Sequence, residues 1–173
     1  MTKLISIIVS VLFLLIACSE NSKDQGISDT EILIGMHTDL SGPASMIGRQ
    51  SADGANMKFN EFNDAGGAYG RTIKFIVEDH QYTVPRAVQA ANKLLKKDKI
   101  ALMMGSLGTP MNNAVLTDQL AMNVPNLFPL TAARSMFDPF HRLKFTSGST
   151  YYDQIRTGVK SVSYTHLTLP TKA

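Results

Sequence analysis

The sequence predicts an α/β fold: a parallel sheet flanked by helices. Three observations carry that expectation. Short apolar runs bounded by polar or turn residues recur at residues 31–36, 72–77, 100–104, 125–129 and 142–146. Stretches with helical periodicity lie between most of them, which gives room for crossovers rather than hairpins. Glycine, proline and hydroxylated residues cluster just after several of the runs, where a strand must turn into a helix. The composition suits one such core, with 44% hydrophobic and 18% charged residues in 173.

The first strand is Glu31-Ile-Leu-Ile-Gly-Met36, and Ser41-Gly-Pro43 turns the chain after it. A helix is expected from Gly48, with Ala52, Ala55, Phe59 and Phe62 along one face. Asn63-Asp-Ala-Gly-Gly67 ends it, glycine supplying the left-handed cap. Thr72 to Val77 is the second strand. Thr83 and Pro85 open the next helix as cap and early-turn proline, and Ala87, Val88, Ala91, Leu94 and Leu95 form its buried stripe. Ile100 to Met104 is the third strand and Met111 to Met122 the third helix. Two further short strands are expected at residues 125–129 and 142–146, and a last helix starts at Tyr151 and is broken after Lys160.

Both ends read differently from the middle. Lys3 precedes a run from Leu4 to Ala17 without charge, the pattern of a secretory signal core. Leu15-Ile-Ala-Cys18 follows, and it resembles the lipobox of bacterial lipoproteins; Cys18, the single cysteine, is the expected lipid anchor. Residues 19–28 are polar and read as a tether. At the other end, Val162-Ser-Tyr-Thr-His-Leu-Thr-Leu-Pro-Thr171 has no helical period and resembles the translation of a transposon-end adapter used in sequencing libraries. Residues 162–173 are therefore expected to be an artefact tail.

The formal net charge of +3 owes much to those ends, since setting them aside removes Lys3 and Lys172 and no acid. The chain is not read as binding nucleic acid. Lys96-Lys-Asp-Lys99 suits the solvated end of a helix.

Enzyme templates match poorly. His37, His80, His141 and His166 are scattered, and no H-x-x-x-H or C-x-x-C exists, so no metal or cofactor is expected. Gly105-Ser-Leu-Gly108 lacks the spacing of a phosphate loop and of a G-x-S-x-G nucleophile elbow. Asp79-His80 reads as a polar loop, since no nucleophile accompanies it.

What remains is a set of small, hydroxylated turns at successive strand ends: Ser41-Gly42, Ser106-Leu-Gly-Thr109 and Thr131-Ala-Ala133. In a parallel sheet these fall on one edge and can face one ligand. Hydroxyls and free N–H groups at a helix start suit a carboxylate. Ser106, on the strand end, is read as a ligand contact. Thr109, beside Pro110, reads more readily as a helix cap.

These turns belong to a wider pattern. Leu40-Ser-Gly-Pro43, Gly48, Gly54, Asn63, Gly66-Gly67, Gly70-Arg71, Asp79, Gly105-Ser106 and Pro129-Leu-Thr-Ala132 resemble type I solute-binding proteins, in particular the branched-chain amino acid and amide group serving ABC importers. The resemblance implies a two-lobed receptor that closes on a ligand between its lobes. It carries ligand binding onto Ser106 with Leu107 and onto Thr131 with Ala132, and Thr109 joins them. The family's first-loop aromatic falls on Ile47, a departure from the amino acid binders.

The expected organisation is a lipoprotein signal at 1–17, a lipid-anchored tether at 18–30, a partial N-terminal ligand-binding lobe at 31–148, the start of a crossover into a second lobe at 149–161, and the tail. The expected partners are a small amino acid or amide-like ligand, importer permease subunits, and the membrane through the N-terminal lipid, in an extracytoplasmic location. A ligand-sensing receptor without transport, or a secreted α/β enzyme whose catalytic half lies elsewhere, are the alternatives.

Overall fold

The computed structural model describes residues 25–166. The apolar run, Cys18 and residues 167–173 lie outside that range. Five strands form one sheet in the order β2-β1-β3-β4-β5, every neighbouring pair parallel. They are β1 (Glu31–Thr38), β2 (Thr72–Asp79), β3 (Leu102–Met104), β4 (Asn126–Leu127) and β5 (Lys144–Phe145). The helices are α1 (Ser45–Asp64), α2 (Val84–Asn92), α3 (Thr109–Ala121) and α4 (Tyr151–His166). The predicted fold class is the observed one.

β1 and β2 pair along their whole length, from Glu31 opposite Thr72 to Thr38 opposite Asp79. From Ile34 onward every residue of β1 is buried, as a parallel strand covered on both faces requires. The chain steps one way from β1 to β2 and the other way from β2 to β3. Right-handed crossovers then place α1 on one face of the sheet and α2 with α3 on the other. Between β1 and β3 the strand order reverses, which makes their carboxyl ends the switch point where open α/β sheets favour ligands.

Gly48 brings α1 close to the sheet: a Cβ there would lie 2.0 Å from the Asp39 carbonyl oxygen. Ala52 is buried beside it, and Phe59 meets Phe75 edge-on at 5.2 Å between ring centroids. Phe62, expected on the buried face, is exposed, as are Asp64 and Ala65 where the helix ends. On the opposite face Ala91, Leu94, Leu95, Ile100, Met103, Val115 and Val124 form the main core cluster. α2 ends in a π-helical turn at Lys93–Lys97, and both consecutive leucines of that turn are buried.

The last three strands are shorter than the apolar runs that announce them. Ile100 is fully buried but lies before β3, because Lys99 takes φ +53° and the Ile100 amide donates to the Leu94 carbonyl. α4 runs on to His166 rather than stopping at Lys160. Nothing between residues 161 and 166 is glycine or proline, so the backbone can continue. Its start is capped: the Thr150 hydroxyl donates to Asp153 Oδ2 at 2.7 Å and accepts the Asp153 amide at 3.0 Å. No described helix is long and apolar enough to cross a membrane.

Candidate functional site

The turns singled out in the sequence do gather at the carboxyl edge of the sheet, but the site divides into a buried and an accessible part. Gly105, at φ +66°, turns the chain at the end of β3, and Ser106 packs inward against β1. Ser106 is fully buried, its hydroxyl accepting the His37 amide at 3.3 Å. Its carbonyl accepts the Leu130 amide and the Asn112 side chain, each at 2.9 Å. Ser106, expected to face a ligand, has its side chain tucked under the turn here.

Leu107 is likewise enclosed. Its amide donates to the His37 carbonyl at 3.2 Å, its carbonyl faces His80 Nε2 at 3.1 Å, and its side chain is buried. A bridge between Leu107 and Leu130 extends the pairing of β3 and β4 into the loops. Gly108 then occupies the cap position of α3 at φ +94°, and no side chain caps the helix start.

The accessible part begins with Thr109. Instead of capping, its hydroxyl pairs with that of Thr131 at 2.5 Å. Thr131 also accepts the Ala133 amide at 3.2 Å, which fixes the hydroxyl toward α3. Thr109, Thr131, Ala132 and Ala133 are all partly exposed. Tyr151, at the start of α4, joins this group: its amide donates to the Ala132 carbonyl at 2.9 Å. The Ala132 amide and the hydroxyls of Thr131 and Thr109 act on its phenol and, against the effect of burial, hold its pKa below the ordinary tyrosine range. Tyr151 was not among the expected site residues. The available signal was its position, directly after a capping threonine at another strand-end turn.

A cavity of about 230 Å³ opens beside these groups, with Thr131, Ala132, Thr146, Ser149, Tyr151 and Gln154 in its wall. None of its lining residues carries a charge, so it offers hydroxyls and amides. A larger groove of about 520 Å³, lined by Gln25, Leu33, Lys96 and Met122 among others, lies at the opposite edge of the sheet. It holds none of the convergent hydroxyls, and the carboxyl edge is the better candidate despite its smaller volume.

On the β1 and β2 side, two carboxylates organise the first loop. Asp39 accepts the Gly42 and Ala44 amides at 2.5 and 2.7 Å. Asp79 accepts the Leu40 and Gln81 amides, each at 2.9 Å, and the Ser41 hydroxyl at 2.5 Å. Burial raises the Asp79 pKa, but those bonds outweigh it and hold the carboxyl below its usual range. Ser41 is thus committed to Asp79. Ile47 is exposed on α1.

His37 and His80 lie at the carboxyl ends of β1 and β2 with ring centroids 5.5 Å apart, both fully buried. Burial and then the neighbouring His80 lower the His37 pKa to about 3, so its ring is neutral. Both of its ring nitrogens lack a hydrogen-bond partner among the described residues.

A family model described as periplasmic binding protein matches residues 31–166. No curated protein matches the sequence. Among solved structures, one described as a possible leucine/isoleucine/valine-binding protein from Rhodopirellula baltica SH 1 aligns with a TM-score of 0.74 and 20% identity, over 86% of this chain and 38% of that one. A fatty acid ABC transporter substrate-binding protein from Thermomonospora curvata aligns at 0.74 and 24%, over 84% and 36%. A branched-chain amino acid transporter substrate binding protein from Streptococcus pneumoniae, in complex with isoleucine, aligns at 0.54 and 23%, over 57% and 28%. The chain thus spans less than two-fifths of the length of each of these structures.

Proposed function

The chain belongs to the periplasmic binding protein family, of the type that includes leucine/isoleucine/valine-binding proteins, and on that footing we propose that it is the ligand-docking lobe of an extracytoplasmic receptor for an ABC importer. The observation that carries the reading is the convergence of Thr109, Thr131, the Ala132 amide and Tyr151 at the carboxyl edge of a parallel sheet. Uncharged donors next to the open start of α3 suit a ligand oxygen: a carboxylate or an amide carbonyl. Ser106 and Leu107 support that surface from below.

Docking on this lobe is the first step. A second lobe then closes over the ligand, driven by whatever contacts the ligand gains only in the closed form, and the closed form engages the permease subunits. Ile155 and Val159 expose an apolar stripe on α4 that suits packing within such a lobe. Cys18 is the proposed lipid anchor.

The matched structures are named for ligands as different as a fatty acid and isoleucine, so the fold leaves the ligand open. A thermal-shift screen of branched-chain amino acids, short amides and short carboxylates tests the class. A stabilised midpoint with at least one of these is the expected result. No shift with any of them, alongside a shift with a cationic or phosphorylated compound, would overturn it.

A further inference from the structure

The imidazole of His80 ties together the loops that follow β2 and β3. Its Nδ1 lies 3.0 Å from the Tyr82 amide and its Nε2 lies 3.1 Å from the Leu107 carbonyl. An amide can only donate and a carbonyl can only accept, so Nδ1 is bare and Nε2 carries the proton. The ring is therefore neutral. Burial lowers the His80 pKa more than the Leu107 carbonyl and the carboxylates of Asp39 and Asp79 raise it, and the neighbouring His37 is itself neutral.

The Tyr82 end of this clamp lies in a strained turn. Gln81 and Tyr82 take φ +50° and +55°, left-handed conformations that cost each residue on the order of 1 kcal/mol. Asp79 accepts the amide of the first and His80 that of the second. The Tyr82 ring also rests against Gly108, where a Cβ would come within 3.2 Å of Tyr82 Cε2. On the far side, the Leu107 amide is held by the His37 carbonyl, so His37 and His80 between them hold the two peptide units that flank the Leu107 Cα.

We infer that His80 is a positioning residue for the docking surface: as the neutral Nε2–H tautomer it sets the Leu107 peptide, and through it the Gly108–Thr109 start of α3, without touching ligand. The inference rests on the reading of this edge as the ligand site. It also accounts for a fully buried histidine whose two ring nitrogens are both engaged.

Nuclear magnetic resonance on the full chain, wild type and the His80→Phe and His80→Gln variants, tests it. Wild-type His80 should show the Nε2–H tautomer. In His80→Phe the Gly108 and Thr109 amide signals should move and the Tyr82 amide should exchange about tenfold faster, with Ile34 and Met103 unchanged. Glutamine can still donate toward Leu107, so His80→Gln should keep the Gly108 and Thr109 signals and lose only Tyr82 protection. That split remains readable even if the phenylalanine variant unfolds. An Nδ1–H tautomer would overturn the inference, as would unmoved Gly108 and Thr109 signals in His80→Phe or a glutamine variant without the split. A parallel titration with isoleucine and butyrate separates the two readings. If neither binds wild type while the amide pattern holds, the ligand class falls and the positioning role stands. If either binds, His80→Phe should weaken it about tenfold while His80→Gln stays near wild type.

Discussion

The hydroxyls of Thr109 and Thr131 meet at 2.5 Å across a gap of 22 residues in sequence, joining the start of α3 to the loop after β4. Each is partly exposed, so the pair is both a tie between loops and a surface that a ligand oxygen can reach. Replacing Thr131 with valine keeps the shape and removes the hydroxyl. Ligand affinity should fall about tenfold, and stability should change by no more than about 1 kcal/mol. Calorimetric titration beside a denaturant melt checks both.

The same substitution should be visible in the free protein. The Thr131 hydroxyl is one of the groups that lower the Tyr151 pKa, after the Ala132 amide. In Thr131→Val the Tyr151 phenol should titrate at higher pH than in wild type, read by ultraviolet difference absorbance with Tyr151→Phe as the assignment control.

Two glycines of α1 should respond in opposite ways to alanine. At Gly48 the new methyl would collide with the Asp39 carbonyl, and destabilisation by about 2–4 kcal/mol is expected. At Gly54 nothing lies within 4 Å, and the better helix former should stabilise by up to about 1 kcal/mol. Urea melts of the two variants decide this.

His37 should make the fold sensitive to acid. Its pKa is lowered to about 3 in the folded chain, below the unfolded value, so the unfolded state binds the proton first. Stability is then complete above about pH 6.5 and falls as pH drops, by about 2 kcal/mol at about pH 5 from this group alone. His37→Phe should remove that slope, and because the ring nitrogens have no partners the variant should be at least as stable as wild type at neutral pH. Melts across that pH range are the check.

How legible these features were in the sequence follows from their physics. β1 and β2 could be read closely because long apolar runs are also long strands here. β3, β4 and β5 came out shorter, since a residue such as Ile100 is buried beside its strand without joining it. Thr109, Thr131 and Ala132 could be placed because strand-end turns in a parallel sheet share an edge. The burial of the Ser106 side chain could not be read, because it depends on the backbone at Gly105 and on the partner strand β1. The burial of His37 and His80 depends on packing from several elements, which a lone histidine in sequence does not announce. Tyr151 lies 20 residues from Thr131, and only the return of the chain past β5 brings them together.

Docking on the hydroxyl cluster is tested most directly by amide chemical shifts of the labelled chain titrated with isoleucine and with butyrate up to about 10 mM, where weak half-site binding registers. Shifts concentrated at Thr109, Thr131, Ala132 and Tyr151 are the predicted result. Shifts centred on the Gln25 to Leu33 groove at the opposite edge, or none with either compound, would contradict it.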